Sequence, residues 1–123
     1  ITLALSTAEV DAARAARHEV QPGRFAVLSV RDHGHGMDEA TLARIFDPFF
    51  TTKPVGSGTG LGLSIAYGIL RRAHGFMEVR SAPGQGARFD VLLPLRREVV
   101  EAPVLSVAFA VSLYNPGGTF VQL

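Results

Sequence analysis

Glycines fall at alternate positions in one short stretch of this 123-residue chain, at Gly56, Gly58, Gly60 and Gly62. A helix is predicted to start at the end of this run. The run can therefore offer successive backbone N–H groups beside the partial positive charge of a helix N-terminus, and phosphate is the natural ligand of such a site. Lys53 is the one lysine among 12 basic residues, and its compact charge three positions upstream favours a phosphate.

The glycine run matches neither of two common nucleotide motifs. No Gly-Lys-Ser/Thr sequence closes it, so it is not a Walker motif. No strand runs directly into it, so it is not a dinucleotide fingerprint. A flexible surface loop is the alternative interpretation of a glycine run of this kind.

A second group of residues, Asp-His-Gly-His-Gly-Met at 32–37, follows a predicted strand. One interpretation is a metal cluster of Asp32, His33, His35 and Asp38, but the set lacks a further ligand at short spacing that would complete a site. The other is that Asp32 is a strand-end carboxylate that accepts hydrogen bonds from a ligand. The two glycines would then let the ligand approach the backbone closely.

Hydrophobic patterns predict the elements that must hold these groups. Alternation and turn residues predict strands over 1–6, 25–30, 76–82 and 87–93, and helical spacing predicts helices over 8–16, 38–46 and 61–73. The first two strands are expected to pair antiparallel, and the turn residues at 83–86 predict a hairpin between the last two. This order is typical of an α+β layered domain.

Composition excludes several classes of protein. Apolar residues make up 47% and charged residues 19%, which is typical of a globular domain, and a net charge of +1 argues against nucleic-acid binding. The sequence has no cysteine, which excludes disulfides and thiolate metal ligands. No apolar run reaches the roughly 18 residues of a membrane helix. We expect a piece of a larger protein, with a domain at 1–97 and a tail at 98–123 that could form an extra hairpin.

Three motifs taken together resemble the ATP-binding domain of sensor histidine kinases. They are Asp-His-Gly-His-Gly-Met at 32–37, Ile-Phe-Asp-Pro-Phe-Phe-Thr-Thr-Lys at 45–53, and Gly-Thr-Gly-Leu-Gly-Leu-Ser at 58–64. They occur in the family's order and spacing, and the resemblance runs from Ile1 to about Leu95. It implies a two-layer α/β sandwich of the histidine kinase-like ATPase (Bergerat) type, an α+β fold with a mixed, mostly antiparallel sheet and helices on one face.

The resemblance also implies an ATP site. Asp32 would accept a hydrogen bond from the adenine amine, three phenylalanines would form a hydrophobic bracket, and residues 51–58 would form a mobile lid with Lys53 near the phosphates. The glycines at 58–62 would present backbone N–H groups to the phosphates. The implied site residues are Asp32, Gly34, Gly36, Met37, Phe46, Phe49, Phe50, Thr51, Thr52, Lys53, Gly58, Thr59, Gly60, Leu61, Gly62, Leu63 and Ser64.

The sequence departs from the family pattern in several places. The asparagine-containing helix that supplies the magnesium ligand is expected before Ile1, so the fold is expected to be incomplete. No phosphoacceptor histidine is recognised, because the proline after His18 comes too early for that motif, and no catalytic residue is assigned within the chain. Ala87 stands where the family often has a threonine that helps to hold adenine.

The implied function is the ATP-binding catalytic part of a two-component sensor histidine kinase, which transfers the γ-phosphoryl group of ATP to a histidine on a separate domain. The implied cofactors are ATP and magnesium. The implied partners are a histidine-bearing dimerisation domain and a response regulator, with no nucleic acid and no membrane contact by this segment. The expected location is the cytoplasm, and the parent protein could be anchored in a membrane.

Two alternatives stay open. One is an ATP-gated conformational ATPase of the chaperone or DNA-repair type, and the other is a degenerate nucleotide-binding regulatory domain. Without the asparagine-containing helix, Ile1, Leu3 and Leu5 are expected to be uncovered, so the isolated chain is expected to self-associate.

Overall fold

The computed structural model describes residues 1–95, which form one sheet and three helices. The strands are β1 (Thr2–Val10), β2 (Gly23–Asp32), β3 (Phe76–Ser81) and β4 (Ala87–Pro94), and the helices are α1 (Ala12–His18), α2 (Glu39–Leu42) and α3 (Gly62–Arg72). The strand order in the sheet is β1-β2-β4-β3. The expected tail at 98–123, with its extra hairpin, lies outside the described residues.

Neighbouring strands pair antiparallel at all three contacts in residues 1–95. Leu5 lies opposite Leu28 across β1 and β2, and Val30 lies opposite Phe89 across β2 and β4. The predicted pairing of the first two strands and the predicted final hairpin are confirmed. The α+β class is confirmed too. The sheet, expected to be mixed and mostly antiparallel, contains no parallel pair among these strands.

One face of the sheet carries the larger core. From α3, Leu63, Ala66 and Leu70 are each at most 1% exposed and pack against strand residues such as Val30 and Phe89. Residues two apart on a strand face the same side, so alternate positions of β2 and β4 contribute to this core. Burying a large apolar side chain contributes roughly 1.5–3 kcal/mol, which holds α3 on this face.

The opposite face is covered by α1, which corrects the expectation of helices on one face alone. Ala15 of α1 is 1% exposed and lies in a second cluster with Val10, Phe25, Phe76 and Leu92. The neighbours of Leu92 on β4 belong to the α3 core, so Leu92 points to the other side of the sheet. The apolar side chains on this side give the alanine-rich helix a surface to bury.

A charged cluster fixes α1 to β3. Arg14 donates from Nε and Nη2 to the Glu78 carboxylate at 3.0 and 2.7 Å. His18 stacks on Phe76 with ring centroids 4.1 Å apart, and its Nε2 lies 3.1 Å from Glu78 Oε1. The hydrogen bonds from Arg14 lower the pKa of Glu78, and this effect outweighs the opposing effect of partial burial. Both turns of α1 are thereby held to β3.

The start of α1 differs from its predicted position at residue 8. β1 continues to Val10, because it pairs with β2 as far as Gly23. Asp11 then caps the helix by accepting a hydrogen bond from the Arg14 N–H at 2.7 Å. Pairing with a neighbouring strand extends β1 through a segment whose alanines favour a helix when taken alone.

The second helix is shorter than the predicted 38–46. Asp38 is confirmed as its N-cap and accepts from the Thr41 N–H at 2.8 Å. α2 ends at Leu42, after which the Arg44 N–H bonds to Thr41 O at 2.9 Å in a tighter turn. Pro48 has no N–H group to extend a helix, and a chain of turns leads into the loop that follows.

Three apolar side chains at the start of β1 are uncovered, as the sequence predicted. Ile1 is 39%, Leu3 41% and Leu5 75% exposed. Leu3 and Leu5 pair with Val30 and Leu28, and so lie on the α3 side of the sheet. Among residues 1–95, no helix has the length and apolar character needed to cross a membrane.

We expect Glu78→Gln to lower the free energy of unfolding by about 1–2 kcal/mol at neutral pH, because it removes the charge that Arg14 binds at a partly buried site. Glu19→Gln is the matched control. Glu19 is 78% exposed in its pair with Arg71, so its loss is expected to cost about 0.5 kcal/mol or less. Denaturant unfolding of the two variants measures the difference, and equal losses would contradict the assigned role of Glu78.

The pairing of Glu78 with Arg14 also makes the free energy of unfolding depend on pH in the acid range. The pKa of Glu78 is lowered in the folded chain, so its contribution is present above the usual glutamate pKa of about 4.3. The contribution is lost as the pH falls from there through the lower folded-state value. Unfolding curves collected from about pH 7 to about pH 2 are therefore expected to converge for wild type and Glu78→Gln at the acid end. A gap that stays constant down to that pH would refute the charge-based account.

Candidate functional site

The Asp32 carboxylate lies at the end of β2, on the α3 side of the sheet. It is 8% exposed. Its Oδ1 accepts hydrogen bonds from the Gly34 N–H at 2.9 Å and from the Ala87 N–H at 3.2 Å. Within residues 1–95, both hydrogen bonds to this carboxylate go to Oδ1. The arrangement fixes the orientation of the group and leaves Oδ2 to accept from a ligand.

The backbone passes very close to the final hairpin at Gly36. Gly36 has a φ of 72°, and a Cβ added there would lie 2.0 Å from the carbonyl oxygen of Ala82. The Gly84 N–H bonds to His35 O at 2.7 Å in the same region. Only glycine allows this contact, which holds the loop after β2 against the β3–β4 hairpin.

Ser81 connects the same two segments and was missed by the sequence analysis. Its Oγ accepts from the Met37 N–H at 2.8 Å and donates to Gly86 O at 2.6 Å. No local motif marks this serine. Its position at the end of β3, opposite Ala87, is the only signal that could have found it. The Met37 side chain is 3% exposed in the α3 core, so this residue contributes to the site through its backbone and its bulk.

The three phenylalanines of the expected bracket lie in different environments. Phe46 packs on the α3 core and against Tyr67, with ring centroids 5.1 Å apart. Phe50 lies under the guanidinium of Arg44, 4.5 Å from the ring centre. Phe49 is 73% exposed and has a positive φ of 66°. Phe46 therefore joins the core, and Phe49 leaves a large apolar face available to a ligand.

The glycine run leads into the start of α3, as predicted. The N-cap residue Leu61 makes no side-chain hydrogen bond to the helix, so the N–H groups of the first turn have no N-cap side chain to bind them. The Leu61 N–H bonds instead to Thr59 Oγ1 at 3.3 Å, and Ser64 Oγ donates to Leu61 O at 2.9 Å. Gly62 opens the helix, while the side chain of Leu63 is buried in the core. An uncapped N-terminus of this kind favours an anion.

Gly60 fixes the geometry of the glycine run. It has a φ of 70°, and a Cβ added there would lie 2.4 Å from the carbonyl carbon of Phe49. The Phe49 N–H bonds to Gly60 O at 2.8 Å. The two ends of the intervening loop are therefore held backbone to backbone.

The loop between these ends, residues 51–58, is largely exposed. The Lys53 N–H bonds to Thr51 Oγ1 at 3.1 Å, and the Lys53 side chain lies beside Gly58. Thr52 is exposed, and Val55 is fully exposed. The structure thus brings the lone lysine to the glycine run, where its charge can reinforce that of the helix N-terminus.

The structure does not support the metal cluster that was one interpretation of residues 32–38. Asp38 caps α2 and Asp32 accepts from backbone N–H groups. His35 Nδ1 lies 2.9 Å from Gly36 O. In the part of the chain that the structure describes, no group of three histidine, aspartate or glutamate residues is placed to hold a metal ion.

The chain is similar to several bacterial kinases. It is 42% identical over 95 residues to sensor kinase CckA of Brucella abortus (strain 2308), an overlap of 75% of this chain and 10% of that protein. It is 47% identical over 68 residues to signal transduction histidine-protein kinase AtoS of Escherichia coli (strain K12), covering 55% and 11%. Sporulation kinase C of Bacillus subtilis (strain 168) is 44% identical over 73 residues, covering 59% and 17%.

The matched stretch is a small part of each relative, between 10% and 17% of its length. A family model described as "Histidine kinase-, DNA gyrase B-, and HSP90-like ATPase" matches residues 4–97, which is well over half of the 123-residue chain. The matched residues include all three motifs, and therefore both Asp32 and the glycine run at the start of α3. The sequence, the sheet and these comparisons agree: the chain belongs to the histidine kinase-, DNA gyrase B- and HSP90-like ATPase family.

Proposed function

We propose that this chain is the ATP-binding catalytic part of a sensor histidine kinase. The observation that carries the proposal is the Asp32 carboxylate, buried and oriented through Oδ1 with Oδ2 left to accept from a ligand. The uncapped start of α3 lies on the same side of the sheet as Asp32. One feature suits the exocyclic amine of adenine, and the other suits the phosphates.

The remaining site residues would complete the nucleotide pocket. The backbone at Gly34 and Gly36 would lie against the base, with Phe49 as an apolar wall. Lys53 would neutralise phosphate charge, and the N–H groups at 58–64 would bind the phosphate oxygens. Residues 51–58 would close over the nucleotide as a lid, because few apolar anchors hold them in place.

The phosphoryl transfer would use a histidine on a separate domain. A nitrogen of that histidine attacks the γ-phosphorus, a nitrogen–phosphorus bond forms, and the bond to the bridging oxygen breaks as ADP leaves. The phosphoryl group then passes to an aspartate of a response regulator. This chemistry depends on positioning and charge stabilisation, so the residues of this chain act by binding and orienting ATP. The relatives in Brucella abortus, Escherichia coli and Bacillus subtilis are named as kinases, which supports this proposal over the chaperone and DNA-repair types.

Magnesium would neutralise charge on the β- and γ-phosphates. In residues 1–95, no group of three acidic or histidine side chains is placed to hold a metal ion, so these residues alone provide no preformed metal cluster. ATP as the substrate and a response regulator as the partner are consistent with a location in the cytoplasm.

Asp32→Asn is expected to weaken ATP binding by about 1.5–3 kcal/mol, or roughly ten- to a hundredfold. The asparagine oxygen can still accept from Gly34 and Ala87, so its NH₂ group would face the adenine amine, donor against donor. Isothermal titration with ATP and with GTP measures the effect. The control is Asp11→Asn, which keeps an N-cap far from the site. Equal ATP affinity of the Asp32→Asn variant and wild type would remove the adenine assignment.

Gly60→Ala is expected to weaken ATP binding at least tenfold, because the new Cβ would collide with the Phe49 backbone and displace the glycine run. Gly56→Ala is the matched control. Gly56 also has a positive φ, 89°, but a Cβ there meets nothing within 4 Å. Both variants carry the same kind of backbone strain, so their difference in ATP affinity separates the effect of displacing the glycine run from the effect of strain. Similar affinities would show that phosphate binding does not depend on this contact.

The reaction type is tested on the full-length protein that contains this sequence. Incubation with ATP labelled at the γ-phosphate is expected to give a phosphoprotein that is stable in base and lost in acid, as a phosphohistidine is. Asp32→Asn is expected to reduce the rate of labelling at low ATP, and less at saturating ATP. Steady release of free phosphate without a labelled protein would instead favour the conformational ATPase.

A further inference from the structure

Three arginines lie side by side across three strands. Arg31 of β2 is directly opposite Arg88 of β4, and Arg88 is directly opposite Arg80 of β3. All three are exposed. Paired strands lie about 4.8 Å apart, so the three side chains form a short, evenly spaced row. We call these three residues the arginine row.

The arginine row lies on the α1 side of the sheet. Arg88 donates to Asp90 Oδ1 at 2.9 Å and to Ser29 Oγ at 3.2 Å. The three arginines alternate along their strands with the side chains that face α3, so they point to the other face of the sheet. The row is therefore on the opposite face from Asp32 and the start of α3, and it forms no part of the nucleotide site.

The charge of the row is only partly balanced. Arg88 forms an ion pair with Asp90. Glu78, the other carboxylate nearby, is bound by Arg14 and His18. Neither Arg31 nor Arg80 takes part in an ion pair with any residue in 1–95.

Like charges placed directly opposite on neighbouring strands destabilise a sheet. This chain places three in one row, and two of them have no carboxylate partner among residues 1–95. A negative partner would remove that repulsion, so the row is a surface whose energy favours an anionic ligand.

The row is also accessible. α1 covers the cluster around Phe25, Phe76 and Leu92, at the other end of the same strands. Phe76 and Arg80 lie at opposite ends of β3, about 13 Å apart along the strand. The surface beyond α1 is a sheet face with exposed arginines that a helix could lie across.

We propose that the arginine row binds an acidic helix of a partner protein, through carboxylates spaced three or four residues apart. Such carboxylates on one helix face are about 5–6 Å apart, close to the spacing of the row, and arginine pairs with carboxylates through two hydrogen bonds. A nucleic acid carries a negative charge at every nucleotide and fits less well, because the basic surface is limited to this one row: Asp90 and Glu78 lie in the next row of the same face, and the chain has a net charge of only +1. The acidic helix is therefore the partner that the charge pattern favours.

The test uses an alanine-based helical peptide with glutamates on one face, titrated into the chain and followed by fluorescence anisotropy. Arg31→Gln/Arg80→Gln is expected to reduce peptide affinity at least tenfold. The matched control Arg17→Gln/Arg72→Gln removes the same charge from exposed helical positions that form no ion pair within 1–95, and should keep most of the affinity. Thermal unfolding of both variants checks that each is folded.

A charge reversal strengthens the test. Arg31→Glu/Arg80→Glu is expected to lose the glutamate peptide and to gain affinity for the same peptide with lysines. Equal losses in the two glutamine double variants would overturn the proposal, as would a single-stranded oligonucleotide that binds more tightly than the peptide at about 150 mM salt. A change of molecular mass in the Arg31→Gln/Arg80→Gln variant alone would overturn it too, because the row would then contact a second copy. ATP affinity in these variants, measured separately, keeps this result independent of the proposed kinase function.

Discussion

The pairing of β2 with β4 is the interaction on which the rest of the structure depends. α3 packs on one face of these two central strands and α1 packs on one end of the other face, so successive residues of each strand lie in different environments. Their register also puts Asp32 opposite Ala87, whose N–H holds the carboxylate in place. A shift of one residue would exchange the two faces and remove both cores together with the site.

Much of the fold follows from patterns visible in the sequence. Alternation in the strands, the helical spacing in 61–73 and the turn residues at 83–86 were sufficient to predict the four strands, α3 and the hairpin, while the pairing of β2 with β4 was not predicted. The extent of α1 could not be predicted in this way, because strand pairing extends β1 through alanines that favour a helix locally. The face that α1 covers was not visible either, since it depends on which side of the sheet Phe25 and Phe76 occupy.

The candidate site shows the same division. The residue types glycine, aspartate and lysine suggest specific chemistry, so Asp32, Gly60 and Lys53 were candidate site residues before the structure was known, and the family resemblance supplied their expected roles. The individual roles of the three phenylalanines could not be predicted, since Phe46 packs on the core while Phe49 is exposed, and the sequence does not show this difference. Ser81 was missed, because one serine hydroxyl that joins two loops leaves no pattern along the chain.

The end of α3 furthest from the glycine run is tied to the other side of the sheet. Arg71 donates to the carbonyl oxygen of His18 at 2.7 Å and to the Glu19 carboxylate at 2.8 Å, so the last turn of α3 is joined to the last turn of α1. Gly75 adds a close backbone approach to β4, because a Cβ there would lie 2.4 Å from Leu92 O. The end of α3 is therefore joined to both α1 and β4, so the helix that begins at the glycine run and the helix on the opposite face of the sheet belong to one connected framework.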